Sequence, residues 1–190
     1  VREVLLNGEP HAFDDDEDRV WVGGLPVGET ITLEVRALAR YSRSGEGLHR
    51  YTDPEDGEVY LYTQFEPNDA HRAWPCVDQP DVKPEWTFHV IAPAGWVVSS
   101  NGVDTAAQVV DDSGALRHDF TATRPLSSYI TAIVAGPWAV IDGGTWSGGA
   151  SDGGHVELVL RLLCRRTLAR YLDSDDVFEV TRAGLDFFHE

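Results

Sequence analysis

The sequence predicts a mainly β fold, an antiparallel β-sandwich or related all-β domain, with a short helical segment at its C-terminal end. Three observations carry this. Short apolar runs recur between turn residues at close intervals from Val4 to Leu163, the pattern of antiparallel sheets rather than of strands alternating with helices. Within Thr30–Ala39, Ile31, Leu33, Val35, Ala37 and Ala39 alternate with Thr30, Thr32, Glu34, Arg36 and Leu38, so one face of an extended strand is apolar. After Cys164 the apolar spacing changes to three and four, the period of a helix.

Taken in order, Val4–Leu6 and Val20–Val22 read as strands on either side of a turn-like acidic run, Asp14–Asp18. Thr30–Ala39 reads as a strand with one buried face. Tyr41–Arg50 contains two glycines and breaks the period, so it is expected to be a loop, and Asp53, Pro54 and Gly57 mark a turn.

The stretch Tyr60–Lys83, YLYTQFEPNDAHRAWPCVDQPDVK, begins as a strand, passes through a short helix-like segment and leaves through an Asp-Gln-Pro turn. Gln64 and Glu66 stand two apart at the strand's end, so if the strand persists their side chains share one face and present an amide beside a carboxylate. On spacing alone, the pair also fits a solvated strand face.

Strands are expected again at Trp86–Ala92, Trp96–Ser100, Val103–Val110, Leu116–Ala122, Ile130–Ala135, Trp138–Ile141 and Val156–Leu163. Turns are expected at Pro93–Gly95 and Asp111–Gly114, and Asn101-Gly102 reads as the strongest two-residue hairpin signal. Asp142–His155 holds six glycines and reads as a surface loop or hairpin tip; no Lys follows in the spacing of a phosphate-cradling loop. Arg165–Leu172 has helical spacing, and Asp173–Asp176 offers N-caps for a helix through Val177, Phe178, Val180, Thr181, Leu185 and Phe188.

The 190 residues suffice for one good-sized domain, or one domain plus a fragment of another. Hydrophobic residues make up 42% and charged residues 25%, which excludes wholesale disorder. With 32 acidic residues against 15 Lys and Arg the net charge is −17. Nucleic acid and anionic membrane are thereby disfavoured as partners, because both are repelled. Two cysteines, Cys76 and Cys164, make no disulfide framework and leave a single bridge open. No apolar run approaches the roughly 20 residues of a membrane span. The chain starts within a strand, without Met or a signal peptide, so residues are expected upstream and a cytoplasmic location is the default.

Motifs for chemistry are missing. There is no H-E-x-x-H, no C-x-x-C and no G-x-S-x-G, and the seven histidines are scattered. The sequence therefore offers no catalytic residues and no metal ligands.

Tyr41–Gly102 nevertheless closely resembles the N-terminal domain of the aminopeptidase N family of zinc metallopeptidases, in a bacterial, actinobacterial-looking form. The pieces that carry the likeness are Gln64-Phe65-Glu66-Pro67, Ala70-His71-Arg72, Pro75-Cys76-Val77-Asp78-Gln79-Pro80 and Ala92-Pro93-Ala94-Gly95-Trp96. It continues through Ser128-Tyr129, Gly136-Pro137 and the tail Arg165–Phe188.

The resemblance implies a saddle-like, β-rich N-terminal domain over residues 1–163 and, over 164–190, the helical start of a catalytic domain that this chain lacks. It implies that Gln64 and Glu66 are substrate-binding residues for the α-amino group of a peptide. The implied partners are peptide N-termini and the missing catalytic domain. Zinc is the cofactor of the parent enzyme, and none is expected in this fragment. The zinc-binding H-E-x-x-H and the family's Gly-x-Met-Glu-Asn motif are both absent, the latter necessarily in a chain with no Met, so the fragment is expected to be inactive. The alternative is a stand-alone β-sandwich binding or interaction module. Trp74, Trp86 and Trp96 are expected to pack, Arg72 and Asp78 to pair or cap structurally, and Pro75 and Pro80 to set turns. The tail helix, with an uncovered apolar face, is expected to be disordered, rearranged or buried in self-association.

Overall fold

Short antiparallel strands dominate the backbone, as the period-2 runs require. The computed structural model describes residues 1–16, 19–110, 112–149 and 154–189, with the backbone only of Ala106. The chain divides into two compact units, Val1–Tyr51 with Leu61–Ala135, and Thr52–Tyr60 with Gly136–Glu190.

The first unit holds, wholly or in greater part, twelve described strands: β1 (Glu3–Leu6), β2 (Glu9–Pro10), β3 (Asp14–Asp15), β4 (Val20–Trp21), β5 (Leu33–Arg36), β6 (Gly47–Thr52), β7 (Val59–Gln64), β8 (His89–Ala92), β9 (Val97–Ser100), β10 (Asp104–Val109), β11 (Leu116–Phe120) and β12 (Ile133–Gly136). They form sheets in the orders β2-β1-β5, β10-β11-β8 and β6-β7-β12-β9, with β3-β4 as a separate ribbon. Val4, Leu61, Phe65, Ala70, Phe88, Ala92, Val98, Phe120 and Ala135 are its buried apolar residues among those described. The expected alternation holds from Trp86 to Ala92, where Phe88 and Ala92 are buried while Thr87, His89 and Ile91 are exposed. Only His89–Ala92 enters a ladder.

Several expectations change. Within Thr30–Ala39 only Leu33–Arg36 is a strand, and its apolar face is not buried: Leu33 is 41% exposed, and Ala37 and Ala39 are exposed. Among the described strands β5 is an edge strand paired with β1 alone, and Leu33, Val35, Ala37 and Ala39 line an open groove of about 1180 Å³. Tyr41–Arg50 is not all loop, because β6 starts at Gly47. The acidic run is a ribbon end rather than one turn: Asp14 and Asp15 pair with Trp21 and Val20, and Asp16 Oδ1 accepts from the Arg19 amide at 2.8 Å. Its Glu17 and Asp18 lie outside the described residues, as does Asp111 of the turn expected at Asp111–Gly114.

Asn101-Gly102 does not close a hairpin. β9 belongs to the sheet of β7 and β12, and β10 to the sheet of β8 and β11, so the turn carries the chain from one sheet to another. Asn101 is held there by its side chain, which accepts from Ala132 N at 2.6 Å and donates to Ile130 O at 3.2 Å.

In the second unit β13 (Ala139–Gly149) and β14 (His155–Cys164) form a long antiparallel hairpin, followed by a 3₁₀ turn over Arg166–Tyr171 and α1 (Ser174–His189). The glycine-rich run expected to be a surface loop or hairpin tip lies in this hairpin, and its first part is strand through Gly149, with an irregularity between Asp142 and Thr145. Residues 150–153 of that expectation lie outside the described residues. The glycines let the helix approach: the Phe178 ring occupies the space a Cβ on Gly143 would need. Arg182 donates to Gly143 O, and Trp146 Nε1 donates to Asp186 Oδ1 at 2.8 Å. Phe178, Arg182, Asp186 and His189 recur at four, four and three, so one stripe of α1 lies on the hairpin. The helix expected from the spacing of the tail is present as α1, with Asp173 Oδ1 accepting from Asp176 N at 3.3 Å as its cap.

Candidate functional site

Gln64 is the last residue of β7, and Glu66 follows two positions later. Between them Phe65 is 1% exposed, while Gln64 and Glu66 are both exposed. Alternation along the strand end turns Gln64 outward where Phe65 turns in, and Glu66 is exposed in the turn that follows β7. Among the described residues no hydrogen bond or ion pair engages the side chain of either, which leaves their acceptor oxygens open to a ligand.

Phe65 anchors the strand end. Its ring meets Trp74 edge-on at 4.9 Å, Trp74 lies 5.5 Å from Phe88, and Trp86 stacks on Phe88 at 6.1 Å. The tryptophans of this stretch therefore pack, in offset and edge geometries that aromatic quadrupoles favour. Upstream, Thr63 Oγ1 accepts from Ile133 N at 3.0 Å, and Tyr62 and Leu61 stand opposite Val134 and Ala135 on β12.

Downstream, the Glu66–Pro67 peptide is cis, and the Asp69 amide donates back to Phe65 O at 2.8 Å. A 3₁₀ turn over Ala70–Arg72 follows, with Ala70 fully buried. Asp78 holds this turn. Its Oδ2 accepts from the His71 amide at 3.1 Å and stands 2.9 Å from His71 Nδ1, while its Oδ1 accepts from the Ser128 hydroxyl at 2.5 Å. Burial opposes ionisation of Asp78, but the bonds from Ser128 and His71 outweigh it and hold its carboxyl below the ordinary range. Arg72 Nη1 reaches Glu46 and Asp69, both at 3.3 Å, on the surface.

Cys76, in the same loop, is a free thiol. Burial, with the Asp78 charge beside it, pushes its pKa up to about 12. Cys164 is also free, and burial raises it too. No disulfide joins the two.

The second unit has its own buried carboxylate. Asp53, 2% exposed, accepts from Arg165 Nη1 at 2.9 Å and from Thr167 Oγ1 at 2.7 Å. The Glu55 amide, then Thr167, and against burial also Arg165, hold it below its ordinary range. Among the described residues no three His, Cys, Asp or Glu side chains converge to hold a metal ion, so those present do not fit a zinc site. Nor is any described helix long and apolar enough to cross a membrane.

Residues 13–130 match the family profile of the Peptidase M1 N-terminal domain. The chain belongs to the M1 peptidase family. It is 42% identical to Aminopeptidase N of Streptomyces lividans along its whole length, covering 21% of that protein. It is 34% identical over 165 residues to Probable M1 family aminopeptidase 1 of Encephalitozoon cuniculi, covering 83% of this chain and 17% of the relative. With Aminopeptidase N of Haemonchus contortus the identity is 32% over 127 residues, 65% of this chain and 13% of the relative. The M1 chain thus spans about a fifth or less of the length of these relatives, and the whole candidate pair with its anchors up to Ser128 lies inside the matched span. The sequence singles out Gln64 and Glu66 as a candidate pair. Its anchors His71, Asp78 and Ser128 were not assigned to it, since Asp78 and Ser128 lie 50 positions apart.

Proposed function

We propose that this chain is the N-terminal, substrate-amine-recognising part of a zinc-dependent aminopeptidase that removes N-terminal residues from peptides. The observation that carries this is the exposure of Gln64 and Glu66 on either side of the buried Phe65, at the end of a strand fixed by packing. An exopeptidase must tell a terminal ammonium from an internal amide. A carboxylate with an amide oxygen beside it does so by charge-assisted hydrogen bonds, which an uncharged amide N–H cannot match. Glu66 supplies the charge and Gln64 the second acceptor; neither breaks a bond.

On this reading residues 1–163 are the recognition domain and 164–190 lead into the catalytic part of the longer protein. That part would hold the zinc, and the residues described here take no share in it. Its setting would be cytoplasmic, with peptide N-termini as ligands and neither nucleic acid nor membrane as partner.

In the full-length protein, Glu66→Ala is expected to raise KM for an alanyl-naphthylamide about tenfold to a hundredfold, the loss of one hydrogen bond to a charged group. An unchanged KM refutes the assignment of Glu66. The 190-residue chain with added zinc is expected to show no turnover of alanyl- or leucyl-naphthylamide, and turnover above background would refute its proposed role as a recognition part only.

A further inference from the structure

We propose that Asp78 is a positioning residue for amine recognition, acting with His71 and Ser128 to fix where the Glu66 carboxylate stands. This rests on the reading of Gln64 and Glu66 above and extends it to residues that touch no substrate.

The bonds form a closed circuit around the pair. Thr63, just before Gln64, accepts from Ile133 N at 3.0 Å. From Ile133 the chain leads back to Thr131, whose hydroxyl donates to Ser128 O at 2.5 Å. Ser128 donates to Asp78, Asp78 accepts twice from His71, and the turn containing His71 returns through the Asp69 amide to Phe65 O at 2.8 Å. Phe65 lies between Gln64 and Glu66, so the circuit grips the chain on both sides of the pair.

Most of the circuit is shut off from water: Ser128 and Thr131 are 1% and 3% exposed and the Asp78 side chain 10%, with the His71 side chain, 30% exposed, at its rim. Hydrogen bonds in such surroundings hold their geometry better than exposed ones, because water does not compete for the partners. Among the described residues the side chains of the pair have no such bonds, so their geometry depends on the backbone that bears them. A recognition group must be held to within about half an ångström of its working position by groups that are themselves fixed. Asp78 is suited to this, since one carboxylate joins two segments through separate oxygens.

The test compares two competitive inhibitors of the full-length protein, leucinamide and its des-amino analogue 4-methylpentanamide, which differ only in the amine. Asp78→Asn, and the milder His71→Gln, which keeps the backbone bond to Asp78, are expected to weaken leucinamide about tenfold while leaving the analogue unchanged. The preference for the amine then collapses without a general loss of binding. A merely structural role weakens both inhibitors together, and that result, or no change in either, overturns the proposal. Should Asp78→Asn fail to fold, His71→Gln carries the test alone. Glu66→Gln is run alongside: if it leaves the preference intact, the amine-recognition reading itself is overturned and this proposal with it. If Glu66→Gln abolishes the preference and the two positioning variants do not, only the proposal falls.

Discussion

Glu66 and Asp78 are carboxylates twelve positions apart in one loop region, and their surroundings are opposite. Glu66 is exposed and open to a ligand, whereas the Asp78 side chain is 10% exposed and its oxygens are taken by Ser128 and His71. The lowered pKa of Asp78 has a consequence for stability. Its folded-state value lies below the unfolded one, so as pH falls the unfolded chain takes up the proton first. The stabilisation is full above about pH 4, the ordinary range of an Asp carboxyl, and fades as pH drops through the folded value. Asp78→Asn is expected to cost about 1–3 kcal/mol at neutral pH, as for loss of a charge-assisted bond in a buried setting, and to flatten the acid limb of the stability profile. Urea unfolding of both proteins from neutral to acid pH measures this; parallel acid limbs would show that Asp78 is not responsible. Beside it, Cys76 at about 12 is expected to resist alkylation at mildly alkaline pH far more than an ordinary thiol near 8.5. Mass spectrometry of the alkylated native protein checks this, and labelling of Cys76 at the rate of a free thiol contradicts it. The i, i+2 spacing of Gln64 and Glu66 drew attention to the pair, but spacing alone fits a solvated strand face equally well, and only the family resemblance gave the pair a role. Asp78 and Ser128 were not legible as partners, because nothing local relates residues 50 apart.

At the scale of elements, the two Asn-Gly steps show what a turn signal means. Asn7 and Gly8 both adopt positive φ, 53° and 87°, and Leu6 stands opposite Glu9, so this step closes the β1-β2 hairpin as a primed turn requires. At Asn101-Gly102 only the glycine has positive φ, at 88°, and the flanking strands join different sheets. The sequence motif is the same, and long-range partners decide its use: Asn101 bonds Ile130 and Ala132. Gly102→Ala and Gly8→Ala should therefore differ. A Cβ at Gly102 would run into the Thr121 carbonyl, while at Gly8 it meets nothing. Gly8→Ala is expected to cost about 1 kcal/mol for the left-handed backbone alone, and Gly102→Ala about 3 kcal/mol or more because backbone must also shift. Equal losses of stability in urea would show that the contact with Thr121 is relieved freely. Period-2 runs such as Leu116–Phe120 were legible because alternation is a local property. The strand through Gly143–Gly149 was not, since its ladder needs only backbone groups and its packing is done by Phe178 and Trp146, far away in sequence or shared with the helix.

For the whole molecule, charge and exposed apolar surface pull against each other. The net charge of −17 keeps copies apart in dilute buffer. Against it stand Val180, Phe187 and Phe188 on α1, 65%, 72% and 85% exposed. Val180 and Phe187 are seven apart and so share a face of the helix, away from the stripe of Phe178, Arg182 and Asp186 that lies on the hairpin. Burying such aromatic groups is favourable by about 1.5–3 kcal/mol each, enough to associate copies once repulsion is reduced. Repulsion between exposed charges is screened beyond about 8 Å at physiological salt and more sharply above it, whereas apolar attraction is not weakened by salt. The 190-residue chain is therefore expected to be monomeric at low salt and to associate increasingly as salt is raised or as pH is lowered toward its isoelectric point near 4.6. Phe187→Lys with Phe188→Lys should keep it monomeric under both conditions, since the substitutions remove the apolar surface while lowering the net negative charge. Charge reduction alone would favour association, so the double variant separates the two forces. Sedimentation velocity at low and high salt reads the outcome: association in the double variant equal to that of the unaltered chain would show that another surface brings the copies together.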